Sequence, residues 1–351
     1  MPLIIDGRVP SRWQERSAGA SANDKRRECV RIAFMNNMPD TALEDTELQF
    51  FELLEEASGD LPVLLTLHSL SGVPRGERGQ QHLNNFYLST GDLLNNRFDA
   101  VIMTGTEPQQ TDLRNEPYWS ALTRVLDWAE SNTVSTILSC LAAHAGVLYS
   151  DGIQRHPLAE KQFGVFDFDR FGYHELTNGA TGKVRIPHSR WNEVGADSLT
   201  ANGYLVLTQS AEGGVDSFVK KKKRSLFVHF QGHPEYGAQT LLREYRRDIK
   251  RFLRRERETY PAMPKGYFDA SATRLLSDFR DVAVSDRREE LIEGFPEAAV
   301  AGGLRRTWRS PATNIYRNWL QYLVSKRAEV AGFTAVSAVD PQTSRKRSAL
   351  T

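Results

Sequence analysis

Cysteine is nearly absent from this chain. Cys29 and Cys140 are the only two in 351 residues, too few for the disulfide framework of a small secreted protein and too few for a four-thiolate zinc site. The expectation is a reducing, cytoplasmic setting. An excess of one charge is missing too: 45 basic against 44 acidic residues leave a formal charge of +1, so no global field draws the chain to nucleic acid or membrane. No run of about 18 uncharged apolar residues occurs, the length a membrane helix needs. The apolar stretch in the opening MPLIIDGRVPSRWQER is too short for a signal peptide, and Pro10 and Arg12 follow closely. There are no internal repeats. What remains is a globular protein acting on a small molecule at a local site.

The chain then reads as alternating elements. Short apolar runs at Val30–Met35, Leu61–Leu67, Asp99–Met103 and Thr133–Ser139 predict buried strands, and the spacing of apolar residues predicts helices over 41–56, 118–129 and 141–148. Such alternation implies an α/β fold, a doubly wound, mainly parallel sheet flanked by helices. Further strands are expected at 163–168, 183–186, 204–210, 216–219 and 225–230, a basic helix over 239–255, a helical insertion within 270–303, and a closing helix within 308–325. One domain over 30–325 is expected, with a loose lead-in over 1–29 and a disordered tail over 326–351.

Ligands in parallel sheets bind outside the carboxyl ends of the strands. Thr104–Gly105 and Cys140 fall at such ends. A cysteine between a strand and a helix sits on a tight turn that exposes the sulfur to the helix N-terminus, which favours the thiolate; a buried structural cysteine is the plain alternative. His233 and Glu235, in Gly232-His-Pro-Glu235 after the strand at 225–230, would supply a base and the carboxylate that orients it. A metal site built on His233 and Glu235 is the competing reading; it lacks an obvious third ligand, and His229 would sit four residues upstream in the strand. The basic run Lys220–Arg224 reads as a solvated hairpin rather than a nucleic-acid patch.

Several runs together resemble one family: Glu47-Leu-Gln-Phe50, His82-Leu-Asn-Asn-Phe-Tyr87, Tyr118-Trp119, Pro187-His-Ser-Arg190, Gly232-His-Pro-Glu-Tyr236, Ala238-Gln-Thr-Leu241, Trp308-Arg-Ser310 and Asn318-Trp-Leu320. From about residue 30 to 325 the chain is similar to the homoserine O-acyltransferases of methionine biosynthesis, which have the class I glutamine amidotransferase-like, flavodoxin-like fold. The resemblance implies that Cys140 is the acyl-thioester nucleophile, His233 the proton acceptor and Glu235 the third member of the triad. It implies Lys161, Ser189 and Arg247 as substrate-binding residues, and acyl-CoA and L-homoserine as substrates, with no cofactor and no metal. Ping-pong kinetics follow. Leu141, Gly105 and Thr106 are the candidate oxyanion donors. A homodimer is an admissible assembly.

Three departures from the family pattern bear on substrate. Glu107 stands where a small residue is usual. Leu141-Ala-Ala-His144 replaces a tryptophan-containing run. The position linked to acyl choice aligns with Gln109, which lacks the charge that would repel a succinyl carboxylate and favours succinyl over acetyl. L-serine, one methylene shorter, is an alternative acceptor. A glutamine amidotransferase or hydrolase using the same triad is the alternative enzyme, and a catalytically silent binding protein the alternative class.

Overall fold

The computed structural model describes residues 3–6, 29–179 and 182–337, with side chains as far as Arg327. Its strands are β1 (Leu3–Ile5), β2 (Val30–Met35), β3 (Val63–His68), β4 (Ala100–Met103), β5 (Ser135–Ser139), β6 (His156–Arg170), β7 (Val184–Glu193), β8 (Leu205–Ser210), β9 (Gly214–Lys222) and β10 (Ser225–Phe230). The helices are α1 (Asp40–Ser58), α2 (Glu77–Phe86), α3 (Thr90–Asn95), α4 (Trp119–Asn132), α5 (Leu141–Asp151), α6 (Ala196–Ala201), α7 (Thr240–Leu253), α8 (Ala270–Ser285), α9 (Glu297–Ala301) and α10 (Arg309–Ser337). The strands form a single mixed sheet in the order β1-β3-β2-β4-β5-β10-β9-β8-β6-β7. The first six are parallel and the last four antiparallel to their neighbours.

The parallel half is apolar on both faces because both are covered. Ile32, Phe34, Ile102, Ile137 and Val228 point to α1 and α10, where they pack with Phe50, Phe51, Leu54, Tyr316 and Trp319. Ala33, Met35, Val101, Met103 and Leu138 point the other way, to Leu122, Val125 and Leu126 of α4 and Ala142 and Ala145 of α5. The alternation of strand residues between two cores is what a doubly wound sheet requires. A third core joins α7 and α8 through Tyr245, Ile249, Leu276 and Trp308, so the helical stretch expected within 270–303 packs on the helix that follows the Gly232–Tyr236 run.

The ends of the chain differ from expectation. Leu3–Ile5, within the stretch read as a lead-in, pairs in parallel with Val63–Leu65 and forms the outer strand. The closing helix continues past position 325 to Ser337, so the expected tail begins as helix; residues 338–351 lie outside the described residues. Helices α2 and α3 were not legible because their sequence, rich in Gln, Asn and Gly, lacks an apolar stripe; α3 is held instead by a capping box in which Ser89 accepts from the Asp92 amide and the Asp92 carboxylate accepts from the Ser89 amide. Lys220–Arg224 closes the β9–β10 hairpin. Lys220 and Lys222 pair with Asp151, at 2.6 and 3.4 Å, and Lys223 with Glu130 at 3.0 Å. Among the described residues no helix is long and apolar enough to cross a membrane.

Candidate active site

Three neighbouring parallel strands deliver the site. β4, β5 and β10 lie side by side, with Met103 opposite Leu138 and Ser139 opposite Phe230. The residues just beyond their carboxyl ends therefore meet: Gly105 after β4, Cys140 after β5, His233 after β10. Backbone bonds tie the three exits together. The Gly105 amide donates to the Ser139 carbonyl at 3.1 Å and the Cys140 amide to the Phe230 carbonyl at 2.7 Å.

Cys140 occupies a left-handed conformation, φ 53°, at the N-cap of α5. A non-glycine residue there is strained, and the strain turns the side chain out at the head of the helix. Its thiol is partly exposed. The close approach of the β4 exit explains Gly105: a Cβ at that position would lie 2.6 Å from the Leu141 Cβ and 2.9 Å from the Leu141 nitrogen. With the Gly105 amide committed to Ser139, the oxyanion candidates narrow to the amides of Leu141 and Thr106. Leu141 stands in the first turn, ahead of the intrahelical bonds.

His233 is buried and lies between the other two members. Its Nδ1 is 2.8 Å from Glu235 Oε1, and it hydrogen-bonds the Cys140 thiol on its other side. Burial pulls its pKa down, but the charges of Cys140 and Glu235 and the hydrogen bonds to both outweigh it and hold the ring well above the usual histidine value. The loop carrying His233 is pinned from three sides. The His233 amide donates to the Pro187 carbonyl at 2.8 Å, and Trp308 Nε1 donates to the Tyr236 carbonyl at 2.8 Å. Gly232 rests directly on the buried His188 and Asp216: a Cβ there would lie 2.6 Å from His188 Nε2 and 2.7 Å from Asp216 Oδ1.

The three predicted substrate-binding residues converge on a residue that sequence reading missed, Glu244 of α7. The Ser189 hydroxyl donates to Glu244 Oε2, Lys161 Nζ is 3.7 Å from the same oxygen, and Arg247 reaches it at 4.0 Å. The Tyr236 hydroxyl donates to Oε1 at 2.6 Å. Lys161 is mainly committed elsewhere, to Asp248 at 2.9 Å and to the face of Phe163 at 3.9 Å. Arg247 is half exposed and also pairs with Asp248, its Nε 3.6 Å from Oδ1. The signal in the sequence was the spacing Glu244, Arg247, Asp248, which puts both charges on one helical face. Glu107, unexpected at its position, faces Arg251 of α7 at 3.6 Å. Gln109 is exposed, and its amide and that of Gln110 both donate to Glu116 Oε1 at 2.7 Å. His229 is a core residue, stacked on Phe218 with centroids 4.6 Å apart, and does not join His233.

Distant motifs of the sequence also meet. Glu47 Oε1 accepts from His82 Nε2 at 2.7 Å and from the Tyr87 hydroxyl at 2.6 Å, so the runs Glu47–Phe50 and His82–Tyr87 form one buried network. Gln49 donates to Thr240 Oγ1 at 3.0 Å and ties that network to the start of α7.

The fold and site define an α/β protein with a cysteine, a histidine and a glutamate gathered at the carboxyl edge of its parallel strands. Residues 16–330 match the family model for homoserine O-succinyltransferase. The chain is 44% identical over 302 residues to the homoserine O-succinyltransferase of Methylorubrum extorquens, covering 86% of this chain and 89% of that one. It is 43% identical over 325 residues to that of Rhodopseudomonas palustris, covering 93% and 95%. Among solved structures, a glutamine amidotransferase of Thermotoga maritima aligns at a TM-score of 0.44 and 9% identity, over 84% of this chain and 98% of that chain. This chain belongs to the homoserine O-succinyltransferase family, a family of O-acyltransferases.

Proposed function

We propose that this protein transfers a succinyl group from succinyl-CoA to the hydroxyl of L-homoserine through a thioester on Cys140. The observation that carries the reading is the shared setting of a cysteine–histidine–glutamate triad and a mixed-charge cluster joined to it through Tyr236.

In the first half-reaction the Cys140 thiolate, paired with protonated His233, attacks the thioester carbonyl. The oxyanion that forms is met by the Leu141 and Thr106 amides. Collapse breaks the carbon–sulfur bond to CoA, whose thiolate takes the proton from His233. In the second half, His233 is neutral and accepts the proton of the acceptor hydroxyl as its oxygen attacks the acyl-cysteine; collapse of that intermediate breaks the carbon–sulfur bond to Cys140, which leaves as the thiolate beside protonated His233, and releases the O-succinyl ester. The amino acid presents a carboxylate that Arg247 can grip through two parallel hydrogen bonds, and an ammonium that Glu244 can pair. Glu235 holds the ring so that Nε2 faces the reacting atoms in both halves. No resident cofactor is needed.

Intact-mass analysis after incubation with succinyl-CoA alone, followed by peptide mapping, tests this. The expected result is one succinyl adduct on Cys140 that disappears when homoserine is added, with O-succinylhomoserine formed in equal amount. CoA release at the same rate with and without homoserine would mark a hydrolase instead. L-serine and acetyl-CoA run in parallel identify the preferred acceptor and donor.

A further inference from the structure

Two contacts, one helical turn apart, join α5 to the segment that carries His233. The first is between backbones: the Cys140 amide donates to the Phe230 carbonyl at 2.7 Å. The second is between side chains: His144 Nε2 lies 2.9 Å from Gln231 Oε1. Phe230 and Gln231 are consecutive, and Cys140 and His144 stand one turn apart on the same side of the helix. One contact alone would leave α5 able to pivot about Cys140. Two of them fix the direction in which the helix leaves the turn.

The proton at the second contact is assigned by its partners. Gln231 is buried, and every polar atom of its amide is engaged. Nε2 gives its hydrogens to the Val194 carbonyl at 3.1 Å and the Val215 carbonyl at 2.7 Å, and Oε1 accepts the Val194 amide at 2.8 Å. The remaining lone pair of Oε1 can only accept, so His144 carries its proton on Nε2 and donates it. Burial keeps the ring neutral: it pushes the pKa down to about 3 against the hydrogen bond to Gln231, and the charges of Arg190 and Arg155 act in the same direction as burial. Main-chain bonds seat Gln231 and the base in turn. The Gln231 amide donates to the Asp216 carbonyl at 2.7 Å, and the His233 amide to the Pro187 carbonyl at 2.8 Å.

Cys140 needs such bracing. Its left-handed conformation, φ 53°, is one that a non-glycine residue keeps only where its surroundings hold it. Its carbonyl accepts the Ala143 and His144 amides at 3.0 and 3.3 Å, so any rotation of α5 carries the thiol and the Leu141 amide with it. Resting on the roles of Cys140 and His233 in the reaction proposed above, we infer that His144 is a positioning residue: bonded to Gln231, it holds α5 so that the Cys140 thiol stays within reach of His233. Glu235 orients the base alone, whereas this strut ties the helix of the nucleophile to the segment of the base.

The test reads the cysteine–histidine pair directly, as the rate of Cys140 alkylation by iodoacetamide, followed by peptide mapping so that Cys29 does not contribute. His144→Phe keeps a ring and removes the donor. Its alkylation near neutral pH is expected to fall about 10-fold relative to alkylation at about pH 10, where hydroxide ionises a thiol without help from an imidazole. Acyl transfer from succinyl-CoA should lose about 10- to 100-fold in kcat, with KM for homoserine within about twofold. Glutamine and asparagine separate reach from polarity, because a Gln amide extends to the place of the imidazole Nε2 and an Asn amide only to that of Nδ1. His144→Gln should restore both readouts and His144→Asn should restore neither, and this pair decides the matter even where the Phe variant fails to fold. A lowered Tm with unchanged alkylation ratio and kcat, or equal behaviour of the Gln and Asn variants, would overturn the inference and leave His144 a packing residue. So would an unsubstituted protein whose Cys140 reacts near neutral pH no faster than N-acetylcysteine. Failure of succinyl-CoA to label Cys140 is a separate result: it removes the proposed reaction, while the alkylation ratios still decide the role of His144.

Discussion

Tyr236 lies flat on His233, ring centroids 4.2 Å apart and planes 15° from parallel, while its hydroxyl donates to Glu244 at 2.6 Å. One side chain thus touches both His233 and Glu244, the proposed base and a member of the proposed acceptor cluster. Tyr236→Phe keeps the stack and removes the bond to Glu244. It is expected to raise KM for homoserine by roughly 5- to 10-fold, the cost of one charge-assisted hydrogen bond, while leaving the rate of Cys140 succinylation by succinyl-CoA within about twofold. Steady-state kinetics and single-turnover acylation followed by mass spectrometry distinguish the two steps.

The approach of Gly105 to α5 leaves no room for a side chain. In Gly105→Ala the new methyl would sit 2.6 Å from the Leu141 Cβ and push the head of the helix away from the reacting carbonyl. Loss of an oxyanion donor typically costs about 100- to 1000-fold in kcat, and that range is expected here, with little change in KM. Normal kcat in this variant would show that the Leu141 amide takes no part.

Glu235 is expected to reveal itself in the pH dependence of stability. The pKa of His233 is held above its ordinary value, with Cys140 and Glu235 opposing the effect of burial. A ring whose pKa is raised on folding contributes stability that is fully present below its unfolded value near 6.5 and is lost as pH climbs through the raised value. Glu235→Gln removes part of that contribution. The difference in unfolding free energy between the two proteins should be largest at about pH 6, above the usual carboxylate range, and should shrink toward pH 10. Urea denaturation at a series of pH values measures it.

Burial lowers the pKa of five other histidines, His174 and four that lie deeper. Burial pushes His68 and His188 down to about 4, and His144 and His229 down to about 3. Each keeps the folded state intact above pH 6.5. Each then costs about 1.4 kcal/mol per pH unit as pH falls below that value, because only the unfolded chain takes up the proton. A steep drop in Tm below pH 6.5 is the expected outcome. His229→Phe, which keeps the ring stacked on Phe218, should flatten that drop; an unchanged slope would mean that His229 takes up its proton in the folded state.

Gly232 carries the loop of the base across a buried pair. In Gly232→Ala the methyl would meet His188 Nε2 at 2.6 Å and Ile186 Cγ2 at 2.6 Å, inside a packed layer with no space to yield. Destabilisation of about 2–3 kcal/mol is expected, together with loss of acyl transfer, read from thermal melts and a CoA-release assay.

Local pattern along the chain sets the parallel half of the sheet and the placement of Cys140, His233 and Glu235 just beyond strand ends. Strands such as Val30–Met35 are apolar throughout because both faces are covered, and that local pattern needs no tertiary information. Cys140, His233 and Glu235 were legible because each follows a strand, and strand ends are where such sheets place chemistry. What those residues face is set by packing between distant segments. The sheet order sets β10 beside β5 although 85 residues separate Ser139 from Ser225 in the chain; no periodicity records a pairing that distant. The same holds for Glu244, which one helix presents to Ser189, Lys161 and Tyr236 from three other segments. Local patterns are written along the chain because propensity and amphipathicity act over a few residues, whereas the charges that surround a reacting atom are brought together by packing between segments far apart in sequence.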